Sequence, residues 1–421
     1  MFAVLRIAGV VLIVCLIAAG DALAERDPRP ASAEVVVEWN LLVNEIAFAE
    51  DQFLTFKGAR AFAMAHIAQH DALNAIQPEF EQFSFRGRER KADPTAAVAQ
   101  AAREILVAEY PNRQADVDAL LAEHMADVAN GPAKTAGIEL GRRAAAAILV
   151  ARQGDGYDFQ GTYSFVIGPG EYQTTPPFDG FVLQPGFRFA RPFALASPNA
   201  FRPKAPPALA GKRYAAAFNE VLETGRVDST TRTADQTGYA VWWMEFVEGS
   251  INRLARRLVG ESPATAWDAA RLFAQLNVVI FDSYIAVWDS KFEFNHWRPY
   301  TAIREAAVDG NPRAADPSWE PLRTTPPFPD YASAQSAVCA GSFEILSKAL
   351  GRRTPFTMET TTAPPGMPTR SFPSFTAAAD ECADSRVRLG FHFRYATEAG
   401  KHLGRQVARD LLAHRFRARK W

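Results

Sequence analysis

The amino-acid sequence predicts an all-α protein that folds as one large helical bundle. Apolar residues recur at spacings of three and four through most of the chain, which is the period of an amphipathic helix. The same segments are rich in Ala and Leu and are separated by short breaks at Pro and Gly, and no strand-like alternation is sustained. Because 48% of the 421 residues are hydrophobic, the chain can bury a large core, and we expect residues 25–421 to form a single domain.

Residues 1–24 are predicted to be a signal peptide. Arg6 provides a short positive region, Ile7 to Gly20 is apolar, and Ala22-Leu23-Ala24 is a small-x-small cleavage site. An apolar run of about 14 residues is short for a membrane anchor, which needs about 20. We therefore expect the mature chain to begin at Glu25 and to be exported, either to the periplasm or as a secreted protein, with no later segment that spans a membrane.

Helical periodicity then continues along the chain. The segments that show it are "ARAFAMAHIAQHDALNAI", "AAVAQAAREILVAEY", "VDALLAEHMADV", "AGIELGRRAAAAILVARQ", "GKRYAAAFNEVLETG", "ADQTGYAVWWMEFVEGSINRLARRLV" and "PATAWDAARLFAQLNVVIFDSYIAVWDSKFEFNHW". A loop rich in Pro and Thr follows from Thr354 to Pro373, and the last helix is predicted from about His392 to Arg415.

One stretch, residues 153–210, breaks this pattern. It is rich in Pro, Gly and aromatic residues, and it is too apolar for a disordered linker. We predict an ordered but irregular excursion that wraps onto the helices and shapes a channel.

Basic residues are concentrated locally, although the chain as a whole is nearly neutral. The formal net charge is −1 and the pI is about 6.7, so neither nucleic acid nor an anionic membrane surface is expected as a partner. Lys291 and Arg298 are seven residues apart, or about two helical turns, which would put them on one helix face with Asn295 between them. Such a pair can clamp an anion, and it can equally be an ordinary basic stripe.

Two further pieces of sequence carry polar groups suited to an anion. In "PPFPDYASAQSAVCAGSFEIL", Ser333 stands where a small-residue helix begins, so unpaired backbone N–H groups can face an oxyanion there; a simply capped helix is the alternative. In "DSRVRLGFHFRYATEAG", Arg386 and His392 are six residues apart, which does not align them on one ideal helix. They can converge if Arg386 lies in a loop before the last helix, whereas His392 taken alone can be a core or surface histidine.

Taken together and in this order, the three pieces resemble the superfamily of type 2 phosphatidic acid phosphatases and vanadium-dependent haloperoxidases. The pattern is Lys-x6-Arg-Pro, then a Ser at a helix start, then Ser-Arg-x5-His. Wider segments, including "SPNAFRPKAPPAL", "FNHWRPYTAIRE" and "FHFRYATEAGKHLGRQVA", look like the exported bacterial haloperoxidase-like branch, from about residue 36 to 413. The resemblance implies a helical bundle of the acid phosphatase and haloperoxidase type.

The resemblance also implies roles for individual residues and a vanadate cofactor, with phosphate as the alternative anion. Lys291, Arg298 and Arg386 would bind the equatorial oxygens, and Ser333 with the backbone N–H of Ala334 would add hydrogen bonds. His392 would bond the vanadium axially, or attack phosphorus in a phosphatase. The implied substrates are small molecules, namely peroxide and halide or a phosphate ester, and a homodimer is left open.

This sequence departs from the family pattern at two positions. Where the family usually has Pro-Ser-Gly-His, this chain has Ala332-Ser333-Ala334-Gln335, so the expected acid/base His is replaced by a residue that does not titrate. Ala396 stands where many relatives have an Asp that could orient the imidazole of His392, so another group must do so. The expected activity is therefore an impaired haloperoxidase, with an acid phosphatase or a non-catalytic oxyanion-binding protein as alternatives.

Two cysteines remain after the predicted cleavage, Cys339 and Cys382. Export makes a disulfide chemically permitted, and convergence of the implied pocket would bring both residues near each other. A disulfide and two buried free thiols are both left open by the sequence.

Overall fold

The computed structural model describes residues 31–310 and 314–419, and it is mainly helical, as predicted. The predicted signal peptide lies outside the described residues. The first eight helices are α1 (Ala33–Asp51), α2 (Lys57–Ile76), α3 (Pro94–Glu109), α4 (Gln114–Ala126), α5 (Pro132–Ala151), α6 (Lys212–Thr224), α7 (Ala234–Trp242) and α8 (Val247–Gly260). The others are α9 (Ala266–Phe294), α10 (Pro299–Arg304), α11 (Ala334–Leu350), α12 (Phe375–Arg388) and α13 (Arg394–His414), with 3₁₀ turns at Pro111–Arg113, Pro185–Phe189 and Ala306–Val308.

Helix α9 runs through the centre of the fold. Thr265 and Asp268 form a capping box that starts it, and it packs against α1, α2, α8, α11 and α13. By length and composition α9 is apolar enough to cross a membrane, contrary to the expectation that no segment after the signal peptide would be. However, 94% of its most apolar window is buried within the protein, as in the core helix of a packed bundle.

Helices α11 and α13 pack against each other unusually closely. A Cβ at Gly400 would lie 2.3 Å from the Ser333 carbonyl oxygen, and one at Gly404 would lie 1.9 Å from that of Ala337. The backbone N–H of Ser333 donates to the Ala396 carbonyl at 3.0 Å. The small residues of α13 thus hold its N-terminal end directly against the start of α11.

The excursion over residues 153–210 is ordered and packs onto α9. The buried Asp282 carboxylate accepts hydrogen bonds from the backbone N–H groups of Phe193, Ala194 and Leu195 at 2.7–3.0 Å. A cavity of about 510 Å³ lies between this excursion and the end of α9, where Phe292 and Asn295 line it.

Two local expectations were wrong. The Thr354–Pro373 segment contains an antiparallel hairpin, β1 (Phe356–Glu359) and β2 (Thr369–Phe372), rather than only a loop. The last helix begins at Arg394, so His392 precedes it. Turn residues Gly390 to Phe393 separate α12 from α13, and Gly390 has the positive φ of 80° that such a turn needs.

Candidate oxyanion site

The predicted site residues come together where four chain segments meet. Lys291 lies in the last turn of α9, and Arg298 is the residue before α10. Ser333 precedes α11, Arg386 lies in the last turn of α12, and His392 follows in the turn before α13.

Two local features of these segments differ from the expectations drawn from the sequence. Helix α9 ends at Phe294, and Asn295 adopts a left-handed conformation, so Lys291 and Arg298 do not share one helix face. The Asn295 side chain contacts Tyr163 and Glu171 instead of lying between the two cations. Arg386 lies in a helix rather than in a loop, and the tight turn after α12 brings His392 back toward it.

The two cations from the α9 end are fixed by carbonyl groups of the segment that precedes α11. The Lys291 ammonium donates to the carbonyl oxygens of Pro329 at 2.7 Å and Asp330 at 3.1 Å. The Arg298 guanidinium donates from Nε to Phe328 O at 2.7 Å and from one terminal nitrogen to Phe391 O at 2.8 Å. Both cations are fully buried, so their directions are set by this backbone cage.

A carboxylate that the sequence analysis did not select orients the imidazole of His392. Asp330 Oδ1 lies 2.6 Å from His392 Nδ1, and both side chains are buried. Asp330 is three residues before Ser333 in "PPFPDYASAQ", so it belongs to the same motif. It supplies the carboxylate that orients the imidazole, which Ala396 cannot supply. The presence of an acidic residue within this motif was the feature of the sequence that could have identified it.

The neighbours of His392 determine which ring nitrogen carries the proton. One terminal nitrogen of Arg298 lies 3.2 Å from His392 Nε2 and 3.4 Å from Nδ1, so it contacts both ring nitrogens, and the 2.6 Å contact of Nδ1 with the Asp330 carboxylate assigns the tautomer. Nδ1 then carries the hydrogen and donates it to Asp330. Nε2 therefore keeps its lone pair, which a ligating or nucleophilic imidazole requires.

The start of α11 contributes backbone donors. Ser333 is the N-cap residue, but its side chain makes no cap hydrogen bond and instead accepts from the Ser336 hydroxyl at 3.0 Å. The first backbone N–H groups of a helix have no intrahelical acceptor, so those of Ala334 and its neighbours are available to an anion.

Gln335 and Arg386 are joined through one backbone carbonyl. Gln335 Nε2 donates to Trp243 O at 2.8 Å, and a terminal nitrogen of Arg386 donates to the same oxygen at 3.2 Å. Close by, Cys339 and Cys382 form a disulfide between α11 and α12, which resolves the alternative that the sequence left open. This crosslink ties the Ser333 helix to the Arg386 helix.

The site is strongly cationic and its side chains are buried. Burial lowers the pKa of Arg298 to about 10, and burial together with Arg298 lowers that of Arg386 to about 9. Burial and Arg298 also hold the pKa of Lys291 well below its usual value. Burial raises the pKa of Asp330 to about 7, although Arg298 and Lys291 oppose this. Burial and all three cations lower the pKa of His392, so the imidazole is neutral.

These features fit a multiply charged oxyanion. The Asp330 carboxylate faces two of the three buried cations, Lys291 and Arg298, and Arg386 Nε is buried without a hydrogen-bond partner in the described part of the chain. An uncompensated buried cation is costly, and a bound anion removes that cost. Planar guanidinium groups, an ammonium and helix N–H groups together match tetrahedral or bipyramidal oxygens.

The other basic residues and histidines have different surroundings. Arg388 and Arg394 form a surface ion-pair cluster with Asp384 and Glu220, as expected of residues outside the pocket. His296 Nε2 contacts the Tyr395 hydroxyl at 2.6 Å, and burial lowers its pKa to about 3. His296 is therefore a poor substitute for the acid/base missing at Gln335.

Comparison with known proteins shows what the part of the chain that carries the site is similar to. A model of the VCPO second helical-bundle domain matches residues 271–420, the range that contains every residue of the candidate site. The vanadium chloroperoxidase of Curvularia inaequalis is 29% identical over 150 residues, which cover 29% of this chain and 24% of that protein. The match thus spans about a quarter of the length of that relative.

Solved structures extend the likeness in fold to most of the chain. A bacterial vanadium-dependent iodoperoxidase has a TM-score of 0.78 and 24% identity, covering 93% of this chain and 99% of that one. A bacterial vanadium-dependent chloroperoxidase has a TM-score of 0.67 and 16% identity, covering 85% and 94%. Residues 271–420 thus resemble the second helical bundle of the vanadium chloroperoxidases, and most of the chain shares the fold of the solved bacterial vanadium haloperoxidases.

Proposed function

We propose that this protein binds vanadate at the candidate oxyanion site and oxidises halide with hydrogen peroxide. The observation that carries the proposal is the convergence of three buried cations on the lone-pair nitrogen of a carboxylate-oriented His392. When bound, vanadate supplies the Lewis-acidic centre that activates peroxide toward halide.

The residues of this chain would hold the anion and keep its surroundings fixed. Lys291, Arg298 and Arg386 would neutralise the charge on the oxygens of the anion, and Ser333 with the Ala334 N–H would add hydrogen bonds. His392 would bind the vanadium through Nε2. Because the cations are already fixed by backbone carbonyls, they stabilise negative charge with little reorganisation.

Gln335 favours a second candidate function, an oxyanion-binding protein with little catalysis. The amide cannot exchange a proton during the reaction, and its Nε2 is held by the Trp243 carbonyl. Loss of general acid–base help costs roughly 10²–10⁴-fold in rate. The same loss would impair an acid phosphatase, which also must protonate a leaving group, and we propose phosphate esters only as alternative substrates.

The test uses the mature protein, which we propose is exported and begins at Glu25. Purified protein is incubated with orthovanadate, dialysed and assayed for bound vanadium and for halide oxidation by peroxide. Bound vanadium with turnover supports the haloperoxidase, and bound vanadium without turnover supports the binding protein. Hydrolysis of a phosphate ester instead of halide oxidation would favour the phosphatase. Failure to bind either vanadate or phosphate would refute the haloperoxidase, the binding protein and the phosphatase alike.

A further inference from the structure

A second cationic cavity lies between the segment that follows α2 and the segment that follows α13. It has a volume of about 760 Å³ and shares no lining residue with the candidate oxyanion site. Four exposed arginines line it, namely Arg86, Arg415, Arg417 and Arg419. The chain as a whole has a formal net charge of −1, so this concentration of positive charge is a local feature.

Backbone pairing fixes the positions of two of these arginines. The N–H of Glu81 donates to the Arg417 carbonyl, and the N–H of Arg419 donates to the Glu79 carbonyl, both at 2.9 Å. Arg417 and Arg419 flank Ala418, which forms the antiparallel bridge between the two segments. Residues two apart in an extended segment project from the same side, so both guanidinium groups lie along one wall of the cavity.

The loop that carries Arg86 is held by a buried carboxylate of α2. Asp71 is fully buried and accepts hydrogen bonds from the backbone N–H groups of Phe83, Ser84 and Phe85 at 2.6–2.7 Å. Arg86 is the next residue after these three donors, so the start of its side chain is set by the core of the protein.

Two stacked aromatic rings form the floor of the cavity. The rings of Phe83 and Phe416 are nearly parallel, with centroids 5.1 Å apart. The Arg415 guanidinium lies 5.4 Å from the centroid of the Phe83 ring, within the range of a cation–π contact. A side chain that rests on a ring in the free protein loses less freedom when a ligand binds.

The charges around the cavity are not balanced. Among the lining residues that the structure describes, the carboxylate is Glu81, which contacts Arg417 at 2.8 and 3.0 Å. The other three arginines form no ion pair within the described part of the chain. Glu79 lies opposite Arg419 but does not line the cavity, and its carboxylate accepts from the Gln77 amide at 2.9 Å. About three positive charges are therefore left without a partner.

We propose that this cavity binds a soluble oligophosphate, that is, a molecule with two or more linked phosphate groups. A ligand that compensates several cations within one cavity must carry several negative charges close together, and linked phosphates do so in a small volume. The planar fork of a guanidinium group matches two phosphate oxygens at once. The volume is also that of a small-molecule site, which is typically about 300–1,000 Å³. The inference does not depend on the proposed function.

The test is isothermal titration of the purified protein with inorganic tripolyphosphate. Binding should weaken when the salt is raised from about 0.05 to 0.3 M, because exposed charges are screened. Arg86→Gln, Arg415→Gln and Arg419→Gln should each weaken it about two- to fivefold, and the triple variant about 10–100-fold. Glu81→Gln should strengthen binding, because it frees the Arg417 guanidinium for the ligand.

A matched control removes the same charge elsewhere. Arg213 on α6 is exposed and pairs with Glu398 at 3.1 Å, near the start of α13 and about 25 Å along that helix from Arg415. Arg213→Gln should leave tripolyphosphate binding unchanged. Orthovanadate binding at the candidate oxyanion site should be the same in all of these variants.

Three results would overturn the inference. The first is tripolyphosphate binding that the triple arginine variant leaves unchanged, since the ligand would then lie elsewhere, as in the candidate oxyanion site. The second is orthophosphate binding as tight as that of tripolyphosphate and equally sensitive to the triple variant, since linked phosphates would then not be required. The third is binding to anionic phospholipid vesicles without binding of tripolyphosphate, since the cavity would then belong to a membrane-facing surface.

Discussion

Replacing Asp330 by Asn should separate the two ways in which the site can hold an anion. The change keeps the volume of the side chain but removes the charge that faces His392 Nδ1 at 2.6 Å. A hydrogen bond to a charged group contributes about 1.5–3 kcal/mol, and 1.4 kcal/mol corresponds to a tenfold change in affinity. Vanadate, which needs a correctly oriented Nε2, should therefore bind about 10–100-fold more weakly, the range expected when the orienting partner of a metal ligand is lost.

Phosphate should respond in the opposite direction. It would be held by the cations and the helix N–H groups and needs no bond to His392 for binding, and Asp330 is a negative charge 3.8 Å from Arg298. Removing that charge should leave phosphate affinity unchanged or raise it. Isothermal titration with each anion, at a pH where the wild type is fully folded, measures both effects.

A matched control is available in Asp289, two residues before Lys291. It is also buried, but its carboxylate pairs with Arg202 at 2.7 and 2.8 Å and does not contact His392. Asp289→Asn should not alter the ratio of vanadate to phosphate affinity. The reasoning is refuted if Asp330→Asn weakens both anions equally or leaves vanadate binding intact.

The remaining predictions concern the acid/base position, the disulfide and the buried lysine. Gln335→His should raise turnover by about 10²–10⁴-fold with a smaller change in vanadate affinity, and His392→Ala in that background should abolish the gain; unchanged kcat in an already active protein would contradict this. Replacing Cys339 and Cys382 by Ala should lower the free energy of unfolding in denaturant by roughly 4 kcal/mol, given the 43-residue separation, and denatured, unreduced mature wild type should show no free thiol. Because burial holds the pKa of Lys291 well below its usual value, the unfolded chain binds more protons, and stability should rise with pH from that pKa up to about 10.5. Replacing Lys291 by Met, or adding a bound anion, should reduce this rise in the free energy of unfolding, measured by urea titration at several pH values. If the free energy of unfolding has the same slope with pH in the wild type and the variant, the prediction is contradicted.

The sequence by itself determined the helical class and the identity of most of the site. Period and composition are local properties, so Ala- and Leu-rich segments with Pro and Gly breaks are enough to predict a helical bundle. The site residues were found because their order along the chain resembles a known pattern, and the structure does bring them together. They are Lys291, Arg298, Ser333, Arg386 and His392. Their proposed roles await the binding experiments.

Local geometry inferred from that pattern was less reliable. The argument that Lys291 and Arg298 share a helix face assumed an unbroken helix, whereas α9 stops at Phe294 and Asn295 turns the chain. Helix ends depend on capping and on tertiary contacts, and the spacing of residues does not encode them. The hairpin at Phe356–Glu359 and Thr369–Phe372 was missed for the same reason, since two four-residue strands are stabilised by each other and by the core.

Only the tertiary structure decided how polar groups pair across the fold. Asp330 and His392 are 62 residues apart in the sequence, yet their side chains lie 2.6 Å apart. The disulfide was left open by the sequence, because the distance between two cysteines depends on how α11 and α12 pack. Burial sets the protonation of these groups, and burial is a property of the packed chain. The sequence alone could therefore identify acidic and basic residues, but it could not show which of them pair with each other.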